Sequence, residues 1–210
     1  MSSPHDTRTA LLDAAWDLIA RDGAGVSVAQ ICRAAGVSRQ AGYLHFGSRG
    51  GLLMALVHRA DERFRIRPLL FDAFSLPDPR DRLETSISVW LDFVVKIEPV
   101  ASDLIRLRAT DQDAAAAWED RMTELRSWLT ELVGSVHTDG ALAPGWGVED
   151  AASYLWATTS VQIWGLLRHD CSWTEKRTRA ALTRGLTDTL LAPPSLREIG
   201  RAPSRPDAAR

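Results

Sequence analysis

The sequence predicts an all-α protein of about nine helices, with a three-helix head followed by a larger helical body. Apolar residues recur at helical spacing along most of the chain, and Ser, Thr or Asp residues stand where helices need caps. Glycines and prolines interrupt these repeats as they do at helix ends, and no stretch alternates as a β-strand does. The predicted domains are residues 1–48, residues 49–192 and a disordered tail over residues 193–210.

The first helix is predicted over residues 7–21 and ends before Gly23, where a glycine can adopt the left-handed conformation that stops a helix. Its apolar side chains share one face, as in an amphipathic helix. They are Leu11, Ala15, Leu18 and Ile19.

Two further helices are predicted on either side of Gly36. Ser27 and Gln30 have the spacing of a capping box, so the second helix starts at Val28. Gly36 ends that helix, and Ser38 caps the next one. Two short helices joined by a tight turn form a helix-turn-helix, and the second of them places its first residues in the major groove of DNA.

The third helix carries side chains suited to DNA. Arg39 and Gln40 fall in its first turn, where an arginine can pair with guanine and a glutamine with adenine. Tyr43 and His45 have polar tips that suit phosphate oxygens. Arg49 falls in the first turn of the following helix, and a helix N-terminus with a cation is a natural phosphate site.

Two capped helices around a glycine turn also occur in all-helical proteins that have no role in DNA binding, and charge favours the DNA-binding interpretation. Residues 23–60 contain four arginines and no Asp or Glu. The first 65 residues carry 8 basic and 6 acidic side chains, whereas residues 66–196 carry 13 and 19. A basic head before an acidic body lets one end approach DNA while the other is repelled.

A fourth helix is predicted to start after Ser48, to run towards Arg65 and to link the head with the body. Pro77 to Pro79 mark a break, and Pro99 is expected to end the helix that follows it. The remaining helices are predicted over residues 80–97, 100–109, 113–136, 148–169 and 174–191, with a loop over residues 137–147. Residues 197–210 are rich in arginine and proline, and this composition is typical of disorder.

Residues 151–167 contain no Asp, Glu, Lys or Arg. A helix that is apolar on all sides is buried on all sides, which favours contact with a second copy of the chain. A central helix within a monomer is the alternative. The small residues that would permit close approach at a dimer interface are Ala157, Ser160, Gly165, Ala181 and Gly185.

Seven of the eight tryptophans lie beyond residue 66. Aromatic stripes pack a core more often than they line a cavity, but a small-molecule sensor would need its mostly apolar cavity in this part of the chain. The candidate wall residues are Trp90, Phe93, Leu104, Trp118, Met122, Trp128, Trp156 and Trp164, and the candidate polar groups are Asp92, Arg106, Gln162 and His169. An aromatic or hydrophobic guest is expected, with Arg106 suited to a carboxylate if it has one.

The sequence lacks the GxSxG, Walker, GxGxxG and HExxH motifs, and its five histidines show no metal-ligand spacing. We therefore expect no enzymatic activity, cofactor or metal. Cys32 and Cys171 are far apart and are expected to remain reduced. Since no signal peptide and no apolar run of about 18 residues is found, we expect a cytoplasmic protein without a membrane partner.

The N-terminal part of the chain resembles the TetR/AcrR family of transcriptional regulators. The resemblance covers about the first 60 residues, with matching segments at residues 9–16, 34–38, 43–46 and 48–53. It implies a homodimer that binds a palindromic operator in double-stranded DNA, usually as a repressor, and that a small molecule releases. It also implies DNA contacts from Ser27, Val28, Ser38, Arg39, Gln40, Ala41, Tyr43, His45 and Arg49.

Two residues depart from the family pattern. Position 49 is arginine where lysine is commoner, which keeps the charge and adds a forked donor. Gly42 stands where an apolar side chain usually packs, and glycine within a helix costs about 1 kcal/mol relative to alanine. We therefore expect a loose recognition helix whose order depends on DNA. The alternative function is a DNA-binding architectural protein, or an activator, without a small-molecule effector.

Overall fold

The computed structural model describes residues 4–22 and 26–193, and most of them are helical. The predicted all-α fold, with a three-helix head before a helical body, is confirmed. The head helices and the linking helix are α1 (Pro4–Asp22), α2 (Val28–Ala34), α3 (Arg39–Phe46) and α4 (Arg49–Arg63). The predicted turn at Gly23 and, apart from Pro193, the predicted tail over residues 193–210 lie outside the described residues.

The body contains six α-helices in the described part of the chain. They are α5 (Ile66–Phe74), α6 (Pro79–Leu107), α7 (Gln112–Thr138), α8 (Val148–Thr158), α9 (Val161–Gly165) and α10 (Glu175–Leu190). A π-helical turn, Leu166–Asp170, continues α9. The loop between α7 and α8 pairs with the end of α10 through an isolated β-bridge that joins Leu142 to Leu191.

Pro99 does not end a helix, contrary to the prediction. It lies inside α6, which continues without a break to Leu107. A proline within a helix costs about 3 kcal/mol because it removes a backbone hydrogen bond and crowds the preceding turn. Ile97 and Val100, on either side of it, are both buried, and the packing of both halves against the core holds the helix together.

The fourth helix ends at Arg63, close to the predicted end near Arg65, which adopts a left-handed conformation with φ 51° before a separate helix, α5. One other predicted helix was wrong in its extent. The predicted helix over residues 148–169 is broken near its middle. Thr159 Oγ1 donates to the Leu155 carbonyl oxygen at 2.8 Å, and the Ser160 side chain caps α9 at the Ile163 amide, so α8 ends there.

The core has two parts that meet at α4. Buried residues of α5 to α10 form the larger part, and those of α1, α2 and α4 form the smaller part. The smaller part also includes Leu104 from α6 and Trp118 from α7, so the head is packed directly on the body. No helix among the described residues is both long and apolar enough to cross a bilayer.

Candidate DNA-binding surface and ligand cavity

The caps of the helix-turn-helix form as predicted. Ser27 Oγ accepts a hydrogen bond from the Gln30 amide at 3.3 Å, and Gln30 Oε1 accepts one from the Ser27 amide at 2.9 Å. Ser38 Oγ accepts from the Ala41 amide at 3.1 Å, so α3 begins at Arg39. Gly36 takes the turn with φ 69°, where a side chain would be strained.

The first turns of α3 present side chains to solvent. Arg39 and Gln40 are exposed, and Tyr43 retains 46% of its accessible surface. The predicted contacts beside them are also at the surface, since Ser27 and Ser38 are exposed and Val28, Ala41 and His45 are partly exposed. A polar face of this kind can reach base edges and phosphates.

Leu44 of α3 was not among the predicted DNA contacts. Its side chain is 85% exposed, the most exposed of the large apolar residues among those described. Leu44 follows Gln40 by one helical turn, so both residues lie on one face of α3. This spacing could have predicted that Leu44 is exposed beside Gln40. An apolar side chain on a DNA-reading face can contact the methyl group of thymine.

Gly42 is buried, and the expected looseness of α3 does not follow from its surroundings. The sulfur of Cys32, on α2, fills the space beside it, and a Cβ at position 42 would overlap that sulfur. The apolar group expected at position 42 is thus supplied by the neighbouring helix. The glycine lets α2 and α3 approach closely, which offsets its low helix propensity.

The structure places Arg49 differently from the prediction. Its guanidinium is directed inward, where it donates to the Val26 carbonyl oxygen and forms an ion pair with Asp103 of α6. Only 25% of the side chain is exposed, and burial lowers the pKa of Arg49. In this arrangement the guanidinium is bound within the protein and is not presented to a phosphate, and its predicted contact with DNA stays a prediction.

The basic face of the head is smaller than the sequence suggested. Of the four arginines in residues 23–60, Arg59 pairs with Asp13 of α1 at 2.6 Å, and Arg49 is bound internally. Arg33 and Arg39 are exposed. Ion pairing within the fold, which the sequence cannot specify, removes two of the four charges from the predicted patch.

Two mostly apolar cavities lie in the body. The first lies between α5, α6, α7 and α8, and the second lies between α4, α6, α7, α8 and α9. The space free of atoms measures ≈ 340 Å³ in the first and ≈ 550 Å³ in the second, openings to solvent included. Of the predicted wall residues, Trp128 lines the first, Trp90 lines both, and the second also includes Leu104, Trp118, Met122 and Trp156. Gln162, one of the predicted polar groups, lines the second as well.

Two predicted wall residues do not line either cavity. Phe93 is 2% exposed and packs in the core, with its ring centroid 6.4 Å from that of Phe64. Trp164 is 3% exposed, and the guanidinium of Arg179 lies 5.7 Å from its ring centroid. Both residues therefore pack in the core, which is the alternative to a place in a cavity wall for aromatic residues at helical spacing.

Three of the four predicted polar groups also lie outside the cavities. Arg106 pairs with Asp103 and is 72% exposed. Asp92 pairs with Arg179, and His169 lies 3.0 Å from Glu98, both at the surface. The charged residue that does line the second cavity is Arg121, which was not among the predicted polar groups. Its position on the buried side of α7 could have been read from its spacing with Trp118, Met122 and Leu125.

The predicted dimer residues lie at or near the surface of the single chain. Ala157, Ala181 and Gly185 are exposed, and a Cβ added at Gly185 would meet no atom within 4 Å. Ser160 and Gly165 are partly buried. Tyr154, on the same helix as Ala157, is 40% exposed, so the charge-free helix predicted to be buried on all sides keeps an open face in one subunit.

The all-α fold and the helix-turn-helix, whose second helix α3 is capped and exposed, define a helix-turn-helix transcriptional regulator. Residues 11–56 match the family of bacterial regulatory proteins called the tetR family. The HTH-type transcriptional repressor BepR of Brucella suis biovar 1 is 32% identical over 161 residues, which cover 72% of this chain and 76% of that protein. The chain belongs to the TetR family.

Solved structures share the fold over most of the chain. A transcriptional regulator from Saccharomonospora viridis, in complex with choline, has a TM-score of 0.73 at 17% identity, covering 89% of this chain and 98% of that one. NalD, the secondary repressor of the MexAB-OprM multidrug efflux pump in Pseudomonas aeruginosa, has a TM-score of 0.65 at 22% identity, covering 89% and 96%.

Proposed function

We propose that this regulator is a cytoplasmic repressor that binds a palindromic operator as a homodimer and is released by a small apolar or aromatic molecule. One observation carries the proposal. Val57 of α4 lines the second cavity together with residues of α6 and α7, and α4 directly follows the recognition helix α3. A guest in that cavity would therefore contact the helix that follows the DNA-binding surface.

Repression is proposed from likeness, since BepR and NalD are both named repressors. Dimerisation is supported by the open, small-residue faces of α8 and α10, which include Ala157 and Gly185. A twofold dimer presents two recognition helices, and half-sites in successive major grooves lie about 34–36 Å apart.

Release would work by a shift between two populations. The effector would favour a position of α4 in which the two recognition helices no longer match the half-site spacing. A ligand can shift such an equilibrium only by its difference in affinity for the two states. The aromatic walls of the second cavity support an apolar or aromatic guest.

The direct test is selection of bound sequences from random duplex DNA by the purified full-length protein at near-physiological salt. A palindromic consensus is expected, with half-sites one helical turn apart. No enrichment by a protein whose circular dichroism spectrum is helical would contradict operator binding.

The alternative is a DNA-binding architectural protein, or an activator, that has no small-molecule effector. Thermal unfolding across a library of apolar compounds separates this from the proposal, because a guest of the native state raises the melting temperature. We expect stabilisation by a subset of aromatic compounds and loss of operator binding with the same subset. Compounds that stabilise the protein while operator affinity stays constant would contradict release by an effector.

A further inference from the structure

The start of α4 is bound to both the head and the body through Arg49. On one side its guanidinium donates to the carbonyl oxygen of Val26, directly before α2, and on the other it pairs with Asp103 of α6. The Asp103 carboxylate is 1% exposed and also accepts from Arg106. Removal of Arg49 would leave the buried Asp103 carboxylate with the exposed Arg106 as its paired cation, and removal of Asp103 would take the carboxylate from the guanidinium of Arg49.

Gly50 adds a second contact at the same place. A Cβ on Gly50 would lie 2.8 Å from the backbone nitrogen of Ala114 and 2.9 Å from its Cβ, at the start of α7. These distances are shorter than real Cβ contacts, so the first turn of α4 lies directly against α7. We call Arg49, Gly50, Asp103 and Ala114 the head–body joint.

Both body residues of the joint are close in sequence to the walls of the second cavity. Asp103 lies between Ala101 and Leu104, which both line it. Ala114 lies one helical turn before Trp118, which lines it as well. A displacement of α6 or α7 by a guest would therefore reach Arg49 or Gly50 within one turn of helix.

We propose that Asp103 is a positioning residue for DNA binding, which acts through Arg49 to fix the helix-turn-helix relative to the cavity walls. The part of this inference that concerns DNA binding rests on the proposed function. The part that concerns the position of the helix-turn-helix in the free protein does not. It also changes the role of Arg49, which holds the head in place from within and does not contact phosphate.

The test compares four variants of the full chain. Asp103→Asn and Arg49→Gln each break the joint, and the double variant shows whether the two residues act together. Arg106→Gln is the matched control, since it removes the other, exposed cation from the same carboxylate. Should Asp103→Asn fail to fold, Arg49→Gln carries the test, because its side chain lies nearer the surface than Asp103.

The first readout needs no DNA. Hydrogen exchange of the free protein is expected to be faster over residues 28–46 in Asp103→Asn and Arg49→Gln than in the wild type, and unchanged in Arg106→Gln. Equal head exchange in all variants would overturn the proposal. This outcome is distinct from failure of the proposed function, in which the wild type itself selects no DNA.

The second readout is affinity for the selected operator at several salt concentrations. Both single variants are expected to bind about 3- to 30-fold more weakly, the double variant no more weakly than either, with the salt slope unchanged. If Arg49→Gln instead lowers the salt slope by about one and Asp103→Asn strengthens binding, Arg49 contacts phosphate and the proposal fails.

Discussion

Arg121 of α7 donates to Asp61 of α4 at 2.9 Å, and both side chains are almost fully buried, at 5% and 6% exposed. The second carboxylate oxygen of Asp61 is buried with no hydrogen-bond partner among the described residues. Burial raises the pKa of Asp61, and the positive charge of Arg121 acts in the opposite direction. The pair is thus a charged contact between the linking helix and the wall of the second cavity.

Arg121→Gln should destabilise the protein by about 3–5 kcal/mol at neutral pH, because it leaves Asp61 buried without its cation. A raised pKa means that the native state holds this proton more tightly than the unfolded chain. Stability is then regained as the pH falls from 7 through the pKa of Asp61. Urea unfolding of wild type and variant at a series of pH values from 7 downwards measures the difference between them.

Arg59→Gln is the control for this pair. Its partner Asp13 is 48% exposed, so the loss should be about 0–1 kcal/mol and should vary little over the same pH range. If the free energy of unfolding that Arg121→Gln loses does not change with pH, the loss does not come from the buried charge of Asp61.

Gly42→Ala should destabilise the head by about 1–3 kcal/mol, because the new methyl group overlaps the Cys32 sulfur. Cys32→Ala makes room, so in that background the same substitution should cost less or stabilise α3, as alanine does in an open helix. Gly134→Ala in α7, where a Cβ meets nothing within 4 Å, is the control and should be neutral or stabilising. Additive losses at positions 32 and 42 would contradict direct contact.

Gln40→Ala should relax the base preference at one operator position and weaken binding by about 1–3 kcal/mol, since glutamine can pair bidentately with adenine. Repeating the selection from random DNA with the variant shows which position loses its preference. Gln30→Ala, an exposed residue of the capping box, is the control and should alter stability without changing the consensus. If Gln40→Ala weakens binding to all DNA sequences equally, Gln40 contacts a phosphate and not a base.

Ala101→Leu should reduce the space in the second cavity and abolish the stabilisation that aromatic compounds give the wild type. Ala116→Leu, on an exposed position of α7, adds the same group outside the cavity and should behave as the wild type. Melting temperatures measured with the compounds that stabilise the wild type provide the comparison. Unchanged stabilisation in Ala101→Leu would move the binding site elsewhere.

Ala157→Arg should weaken the proposed dimer, because it places a long charged side chain on the small-residue face of α8. Sedimentation equilibrium over a range of concentrations should show a dimer for the wild type and a lower mass for the variant. Ala116→Arg changes the charge equally at an exposed position of α7 and should remain dimeric. A wild type that sediments as a monomer would rule out the assumed assembly.

Features that depend on neighbours in the sequence were predicted well. The capping box at Ser27 and Gln30, the cap at Ser38 and the left-handed turn at Gly36 all formed where the residue types placed them. Each depends on hydrogen bonds or backbone conformation within four residues, and side-chain chemistry fixes these locally. The same holds for the family resemblance, whose motif lies within the head and the start of α4.

Features that depend on distant contacts were not predictable in this way. Pro99 remains inside α6 because residues on both sides of it are buried by other helices, and Arg49 turns inward because Asp103 lies beside it. The sequence by itself determined the helical fold, the caps and the exposed face of α3, since these follow from local spacing. Only the tertiary structure decided which arginines were left at the surface and which aromatic residues line a cavity, because burial and ion pairing depend on residues far apart in the chain.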